Sequence, residues 1–264
     1  MLLVRKFRTL SRLIKNFHRL PEIERKLDAV VPASTHASPD TSGVEILDRL
    51  CALQAKSREE IWCELINRQG YRSVLEVGVW RGEFAEAVLK NCPGVTTYYM
   101  VDPWRQLADW NKPFNLDARA LQEAYAEAMT RTEFADDRRV VLRGTTLEVI
   151  HRVADASVDF AYIDGDHTLR GITVDLLRCY QKVRFGGVIG GDDYGDTIWQ
   201  HDERFEPTLV APYAAYFAEA VGNPMAALPF RQFAIHKTQG FRLIGQSRSL
   251  DLRSQVRPAR EPAV

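Results

Sequence analysis

The sequence lacks the marks of several common protein classes. Basic and acidic residues both number 35, so the net charge is zero and no global field indicates nucleic acid as a partner. The four cysteines form no Cys-x-x-Cys pair, which argues against zinc and fits reduced thiols in a cytoplasmic protein. No apolar run is long enough to span a membrane. The length suits one α/β domain with appendages.

Residues 1–28 contain no acid before Glu22, and apolar residues recur there at three- and four-residue steps. This pattern predicts a basic amphipathic helix. One interpretation is peripheral docking to the anionic inner face of a membrane. The other is packing on the domain or on a second subunit, which would make the protein a homo-oligomer. Both interpretations stay open at this point.

The rest of the chain divides by composition. Residues 29–43 are rich in Pro, Ser, Thr and Ala and are typical of a linker. Residues 44–245 carry the periodic apolar patterns of a folded domain, beginning with a helix over 44–69 that Gly70 ends. Residues 246–264 have little apolar content, so we expect a disordered tail.

The most informative stretch is SVLEVGVWRGEFAEAVLK, residues 73–90. A short apolar run leads into a turn bracketed by Gly78 and Gly82, and a helical pattern follows. A strand, a glycine turn and a helix form the first βα unit of many nucleotide-binding sheets. Trp80 stands where the dinucleotide pattern Gly-x-Gly-x-x-Gly needs glycine, so an NAD-type oxidoreductase is disfavoured. A purely structural turn is the alternative.

Further strands are predicted at 97–102, 139–143, 157–164 and 188–191, alternating with helices. Two later runs, 230–236 and 241–244, indicate an antiparallel edge. The predicted fold is α/β, a Rossmann-like doubly wound and mostly parallel sheet with that edge, plus the N-terminal amphipathic helix. An aromatic-rich insertion over 103–136 is either a lid on the ligand-binding edge or an ordinary packed helix.

Acidic residues end three of these strands. Asp102 lies one βα unit after the glycine turn, where ribose binding is favoured over a capping role. Asp164 ends the fourth strand, and Asp192 and Asp193 end the fifth. Carboxylates on adjoining strand ends repel one another unless a cation joins them, and oxygen-rich sites suit Mg²⁺. The alternative is a set of acids hydrogen-bonded to loop amides.

Taken together, VLEVGVWRG, YYMVDPW, RGTTLEVI, YIDGDH and GGVIGGDDY resemble the class I S-adenosylmethionine (SAM) dependent O-methyltransferases. More narrowly, the chain resembles the bacterial family of macrolide-sugar O-methyltransferases and cephalosporin-hydroxylase-like proteins, of the methyltransferase family 24 type. Its site layout is similar to that of the catechol O-methyltransferases. The resemblance implies SAM as cofactor and Mg²⁺ as metal. The implied cofactor residues are Glu76, Gly78, Val79, Trp80 and Gly82 at the methionine end, Asp102 at the ribose, Thr146 at the adenine, and Asp164.

By the same resemblance, Asp164, Asp192 and Asp193 would hold the metal, and Asp164 and His167 would be catalytic. His167 falls where the catechol enzymes place a catalytic lysine, and imidazole is a suitable general base for a hydroxyl. Its alternative role is to help cap a helix. Phe84 and Asp166 depart from the family pattern.

The implied function is metal-assisted methylation of a hydroxyl on a sugar, glycan or other small molecule. The competing hypotheses are a non-catalytic or hydroxylase-like protein on the same scaffold, for instance a partner in glycan assembly, and the disfavoured NAD-type oxidoreductase.

Overall fold

The structure is a computed structural model that describes residues 42–108 and 110–238. The predictions for the N-terminal helix over 1–28, the linker up to residue 41, the strand at 241–244 and the tail over 246–264 lie outside these residues. Within the described ranges, no helix combines the length and apolarity needed to cross a membrane.

The described residues form a seven-stranded sheet flanked by helices. The strands are Ser73–Val77 (β1), Thr97–Asp102 (β2), Arg139–Arg143 (β3), Val158–Ile163 (β4), Val183–Gly191 (β5), Met225–Leu228 (β6) and Gln232–His236 (β7). The α-helices are Ser42–Ala52 (α1), Arg58–Gln69 (α2), Glu83–Asn91 (α3), Ala118–Arg131 (α4), Thr146–Val149 (α5), Leu169–Lys182 (α6) and Val210–Ala220 (α7). Short 3-10 helices span Glu133–Ala135 and Ile150–Arg152.

The strand order is β3-β2-β1-β4-β5-β7-β6. The first five strands in this order are parallel, and β7 runs antiparallel to both of its neighbours. This confirms the predicted Rossmann-like sheet with an antiparallel edge. The chain reverses its direction of progress between β1 and β4, and sheets of this kind bind ligands outside the carboxyl ends of the strands at that point.

Apolar side chains cover both faces of the sheet, which is why helices pack on both sides. One face buries Trp62 of α2 against Phe160, with ring centroids 5.0 Å apart. A Cβ on Gly190 would lie 2.4 Å from the Trp62 ring, so glycine leaves the space for the indole. The other face buries Leu75, Ile189 and the residues of α6 and α7 that point inward. The two cores fix α2 and α6 beside the carboxyl edge of the sheet.

Two features of the fold, one helix and one strand pairing, differ from the sequence prediction. The single helix predicted over 44–69 is wrong, because the chain forms α1 and α2 with a break between them. Ser57 caps α2 by accepting the N–H of Glu60, which starts a new helix there. Gly70 ends α2 as predicted, in the left-handed conformation with φ of 64°. The antiparallel partner of β7 is β6, which precedes it in the chain, whereas the prediction placed a partner after it.

Candidate active site

The turn after β1 is pressed against the end of β4. Gly78 has φ of 92°, and a Cβ at this position would lie 2.0 Å from the carbonyl oxygen of Asp164. The N–H of Asp164 in turn donates to the carbonyl of Val77, at 2.8 Å. Gly82, at the start of α3, is similarly close to α4, with its ideal Cβ 2.9 Å from Cα of Ala128. Both predicted glycines are therefore required by close backbone approach.

Asp102, at the end of β2, ties two turns together. Its Oδ2 accepts the N–H of Trp80 at 2.9 Å, and its Oδ1 accepts the N–H of Trp104 at 2.7 Å. Both tryptophans have positive φ, and the indole N–H of Trp104 donates to the carbonyl of Trp80. Burial raises the pKa of Asp102 to about 6, against the lowering by these backbone donors. Asp102 thus lies beside the glycine turn as expected, while its contact with a ribose stays a prediction.

Three other predicted cofactor residues have partners inside the protein. Val79 is buried with its side chain in the core. Glu76 is buried and accepts a hydrogen bond from the hydroxyl of Tyr98 at 2.8 Å. Thr146 begins α5, and its hydroxyl donates to Asp175 of α6. Each of the three side chains is thus engaged within the protein, and their roles in cofactor binding stay predictions.

Buried carboxyls should make the domain less stable at alkaline pH. Burial raises the pKa of Asp175 to about 7 and that of Glu76 to about 8. Free carboxyls ionise near pH ~4, so the unfolded chain loses these protons first, and folding stability falls as pH rises through the folded pKa values. We expect the free energy of unfolding to fall between about pH 5 and about pH 8, and Asp175→Asn to reduce that fall. Chemical denaturation at the two pH values measures it. An equal fall in both proteins would contradict a neutral Asp175.

The strand-end acids surround His167. Its Nδ1 lies 2.6 Å from Oδ2 of Asp193, and its Nε2 lies 3.5 Å from Oδ1 of Asp164. Nε2 is buried and has no hydrogen-bond partner. Burial lowers the pKa of His167, but the neighbouring carboxylates of Asp164 and Asp193 outweigh burial and raise the pKa to about 10. The imidazole is therefore protonated in this arrangement and balances the two acids.

Arg58 is a site residue that the sequence analysis missed. It is the first residue of α2, and its Nη1 lies 3.0 Å from Oδ2 of Asp164 and contacts Oδ2 of Asp192. Burial, followed by the charge of Asp164, raises the pKa of Asp192 to about 6 even so. The sequence did hold a signal, because Ser57 with Glu60 three residues later is a typical helix start. That signal predicts where α2 begins. It does not predict that Arg58 contacts Asp164 and Asp192.

Gln232 of β7 is the second missed residue. It is fully buried, and its Nε2 donates to Oδ1 of Asp192 at 2.8 Å. Its Oε1 accepts the indole N–H of Trp62 and the hydroxyl of Tyr162, both at 2.9 Å. One amide therefore connects α2, β4 and the end of β5. No pattern in the sequence distinguishes it from an ordinary strand residue.

Gln232→Leu should lower the free energy of unfolding by about 2–4 kcal/mol, because it leaves two buried donors and part of Asp192 without partners. Chemical denaturation of the two proteins measures this difference. Gln181→Leu on the exposed side of α6 is the control, with an expected change within about 0.5 kcal/mol. A loss at Gln232 no larger than that of the control would show that the amide network contributes little.

Two loops meet beside the acidic cluster, residues 103–117 and residues 195–209. Nζ of Lys112 donates to the carbonyls of Glu206 and Pro207, at 2.8 and 3.0 Å, and is buried between the loops. We call this contact the Lys112 clasp. The second loop is anchored to the site, since the N–H of Leu209 donates to the carbonyl of His167. Within the first loop, the indole of Trp110 donates to Asp166 at 2.9 Å. The predicted insertion therefore lies at the ligand-binding edge and is joined to a second loop.

A cation could be held where these groups converge. Asp164, His167 and Asp193 each offer one donor atom, and these atoms lie within 4.8 Å of one another. Carboxylate oxygens are the donors that Mg²⁺ prefers, and Nε2 of His167, which has no hydrogen-bond partner, lies 3.5 Å from Oδ1 of Asp164. The residues present thus fit a divalent cation. Asp192 contacts Arg58 and Gln232, and its predicted role as a metal ligand stays a prediction.

Known proteins show similarity to this chain in sequence and in fold. The family described as "Methyltransferase domain" matches residues 75–194, from β1 to just beyond β5. The O-methyltransferase from Bacillus cereus in complex with SAH is 17% identical, with a TM-score of 0.51 over 82% of this chain and 97% of that chain. Cofactor-bound Rv0187 from MTB is 18% identical, with a TM-score of 0.50 over 81% of this chain and 95% of that chain. A comparison with curated proteins finds no match.

The family match covers the glycine turn, Asp102 and the three strand-end acids, and the two structures share the fold. Together they identify a class I SAM-dependent methyltransferase domain and confirm the enzyme class that the sequence predicted. The match to the methyltransferase-domain family is confined to residues 75–194. Arg58 and Gln232 lie outside this matched segment.

Proposed function

We propose that the protein is a SAM-dependent O-methyltransferase that methylates a hydroxyl of a sugar or another small molecule with the help of a divalent cation, Mg²⁺. The observation that carries this proposal is the convergence of Asp164, His167 and Asp193 beside the glycine turn, at the point where the strand order reverses. The similar structure from Bacillus cereus, an O-methyltransferase in complex with SAH, supports both the methyl donor and an oxygen acceptor.

The cofactor would lie over the turn between β1 and α3. Gly78 and Gly82 keep the backbone of this turn free of side chains, and Asp102 stands at the next strand end. A carboxylate has more lone pairs than its two backbone donors use, so Asp102 can still accept a ribose hydroxyl. Trp80 lies in the turn itself and would bound the methionine end, with Phe114 of the first loop against its ring at 5.4 Å.

The acceptor would lie at the acidic cluster. Asp164 and Asp193 would hold the divalent cation, which when bound lowers the pKa of a coordinated hydroxyl. Asp193 also accepts Nδ1–H of His167, which fixes the ring and directs Nε2 towards Asp164. His167 would take the hydroxyl proton at Nε2. An imidazolium cannot accept a proton, so this role requires that a cation take over the charge balance of the two acids.

Calorimetric titration tests the methyl donor. SAM should bind and NAD should not, and Asp102→Ala should weaken SAM by about 1–3 kcal/mol through lost charge-assisted hydrogen bonds. Asp117→Ala is a matched control, because Asp117 caps α4 and accepts the N–H of Ala120 away from the glycine turn. Micromolar binding of NAD without binding of SAM would contradict the assignment of SAM as the cofactor.

A methyl-transfer screen on sugars and other diols tests the acceptor and the cation. Chelation by EDTA should abolish transfer, and Mg²⁺ should restore it. Full activity in EDTA would mean that Asp164, Asp192 and Asp193 only form hydrogen bonds with loop amides. The enzyme would then be a metal-independent methyltransferase.

A further inference from the structure

Arg58 carries a positive charge into the acidic cluster from a helix outside the family-matched segment. Its Nη1 lies 3.0 Å from Oδ2 of Asp164 and also contacts Oδ2 of Asp192. The Arg58 side chain is 28% exposed and that of Asp192 16% exposed, so the pair is partly shielded from water and salt. Its electrostatic effect on the cluster should exceed that of a surface ion pair.

The guanidinium is held in place from its own helix. Ser57 caps α2, and the carboxylate of Glu60 accepts the N–H of Lys56 at 2.6 Å. Glu59 accepts Nε of Arg58 at 2.9 Å, so the side chain is bound both at Nε and at Nη1. The charge therefore has a defined position relative to the strand ends.

The oxygens of the acids are divided between two sides. Asp192 directs Oδ2 to Arg58, and its Oδ1 accepts from Nε2 of Gln232 and from the N–H of Asp193. Asp164 directs Oδ2 to Arg58 and Oδ1 towards His167. Both oxygens of Asp192 thus have partners away from the imidazole, whereas Asp164 and Asp193 both contact the imidazole.

The charges of the acids and of Arg58 also bear on how strongly the cluster binds a cation. The three strand-end carboxylates carry three negative charges and Arg58 carries one positive charge beside two of them, so Arg58 offsets part of the charge that attracts a divalent cation. Without Arg58 the cluster would hold a further negative charge and a third carboxylate free to bind, and both changes attract a divalent cation more strongly.

We infer that Arg58 sets the affinity of the cation site and the acids that act as its ligands. It retains Asp192 as its counter-ion, leaves the divalent cation to Asp164 and Asp193, and weakens the binding of that cation by repulsion. The inference rests on the proposed function and concerns how strongly, and through which acids, the site binds its cation.

Titration of the full-length protein with Mn²⁺, with the free ion measured by electron paramagnetic resonance, tests the inference without an acceptor. Arg58→Gln should bind Mn²⁺ at least ~10-fold more tightly than the unchanged protein. Arg58→Lys keeps the charge and should stay within about threefold. Arg68→Gln, on the same helix and paired with Glu64, is the control and should leave the affinity unchanged. A gain in affinity is not a result that structural damage produces.

Asp192→Asn, made in both backgrounds, tests the division of the acids. With Arg58 present it should change Mn²⁺ affinity less than about threefold, and in Arg58→Gln it should weaken binding at least ~10-fold, because Asp192 is then free to act as a ligand.

The outcomes separate the inference from the proposed function. If Arg58→Gln binds Mn²⁺ no more tightly than the unchanged protein, the role of Arg58 is overturned while the proposed cation site stands. If no variant binds Mn²⁺ although calorimetry shows SAM bound, both the inference and the cation requirement fall, and the methyl donor remains. If only Arg58→Gln binds Mn²⁺, the repulsion by Arg58 is supported, whereas the binding of a cation by Asp164 and Asp193 in the unchanged protein is overturned.

Discussion

Replacing His167 with alanine should lower the turnover of methyl transfer ~10²–10⁴-fold while leaving SAM affinity nearly unchanged. His167 meets the acids through both ring nitrogens, and its Nε2 is the unpartnered buried donor or acceptor beside Asp164. Alanine removes the proposed base but none of the groups around the glycine turn. Single-turnover kinetics on an acceptor identified by the screen, together with SAM titration, measure the two effects separately.

His151→Ala is the matched control for this prediction. His151 is exposed in the short 3-10 helix after α5, so its loss should leave turnover and stability unchanged. A His167→Ala enzyme with turnover near that of the control would mean that His167 serves only to balance and position the acids. In that case another group takes the hydroxyl proton.

Replacing Gly78 with alanine should lower the free energy of unfolding by about 3–5 kcal/mol and abolish SAM binding. The φ of 92° is unfavourable for any side chain, and the new methyl carbon would lie 2.0 Å from the carbonyl oxygen of Asp164. The strand ends of β1 and β4 would have to separate, and with them the glycine turn and the acidic cluster. Thermal or chemical denaturation and calorimetry with SAM measure the two effects.

Gly94→Ala gives the comparison within the same chain. A Cβ on Gly94 would meet no atom within 4 Å, so this substitution should change the stability by less than about 1 kcal/mol. Comparable stability of the two variants would mean that β1 and β4 separate at little cost. If Gly78→Ala still binds SAM, the turn between β1 and α3 is not part of the cofactor site.

The parts of the site that the sequence predicted follow from rules local to one strand and its turn. Gly78, Asp102 and Asp164 each follow an apolar run, and parallel strands bring such ends to one edge. The five parallel strands and β7 follow from the same periodicity, whereas β6 was not predicted. The helix over 44–69 was predicted as one piece because apolar periodicity continued across the break, although the Ser57 cap was readable.

The parts that could not be predicted depend on packing between distant segments. Arg58 reaches Asp164 over a separation of 106 residues, and Gln232 reaches Asp192 over 40. A lone Arg at a helix start is usually solvated, and a lone Gln in an apolar strand has no distinctive spacing. Their roles arise only when the cores on the two sides of the sheet fix α2 and β7 against the strand ends.

The Lys112 clasp has a consequence for how acceptor preference could diversify. Nζ donates to the main-chain carbonyls of Glu206 and Pro207 and to the hydroxyl of Thr208, so the clasp depends mainly on the backbone path of the second loop and on one side chain. Under the proposed function, substitutions at the exposed positions of this loop would alter the shape and polarity of the surface beside the acidic cluster while the backbone of the loop keeps its path. A library that randomises exposed residues of 195–206 and retains Lys112 would show whether these side chains set the choice of acceptor while the loop backbone is unchanged.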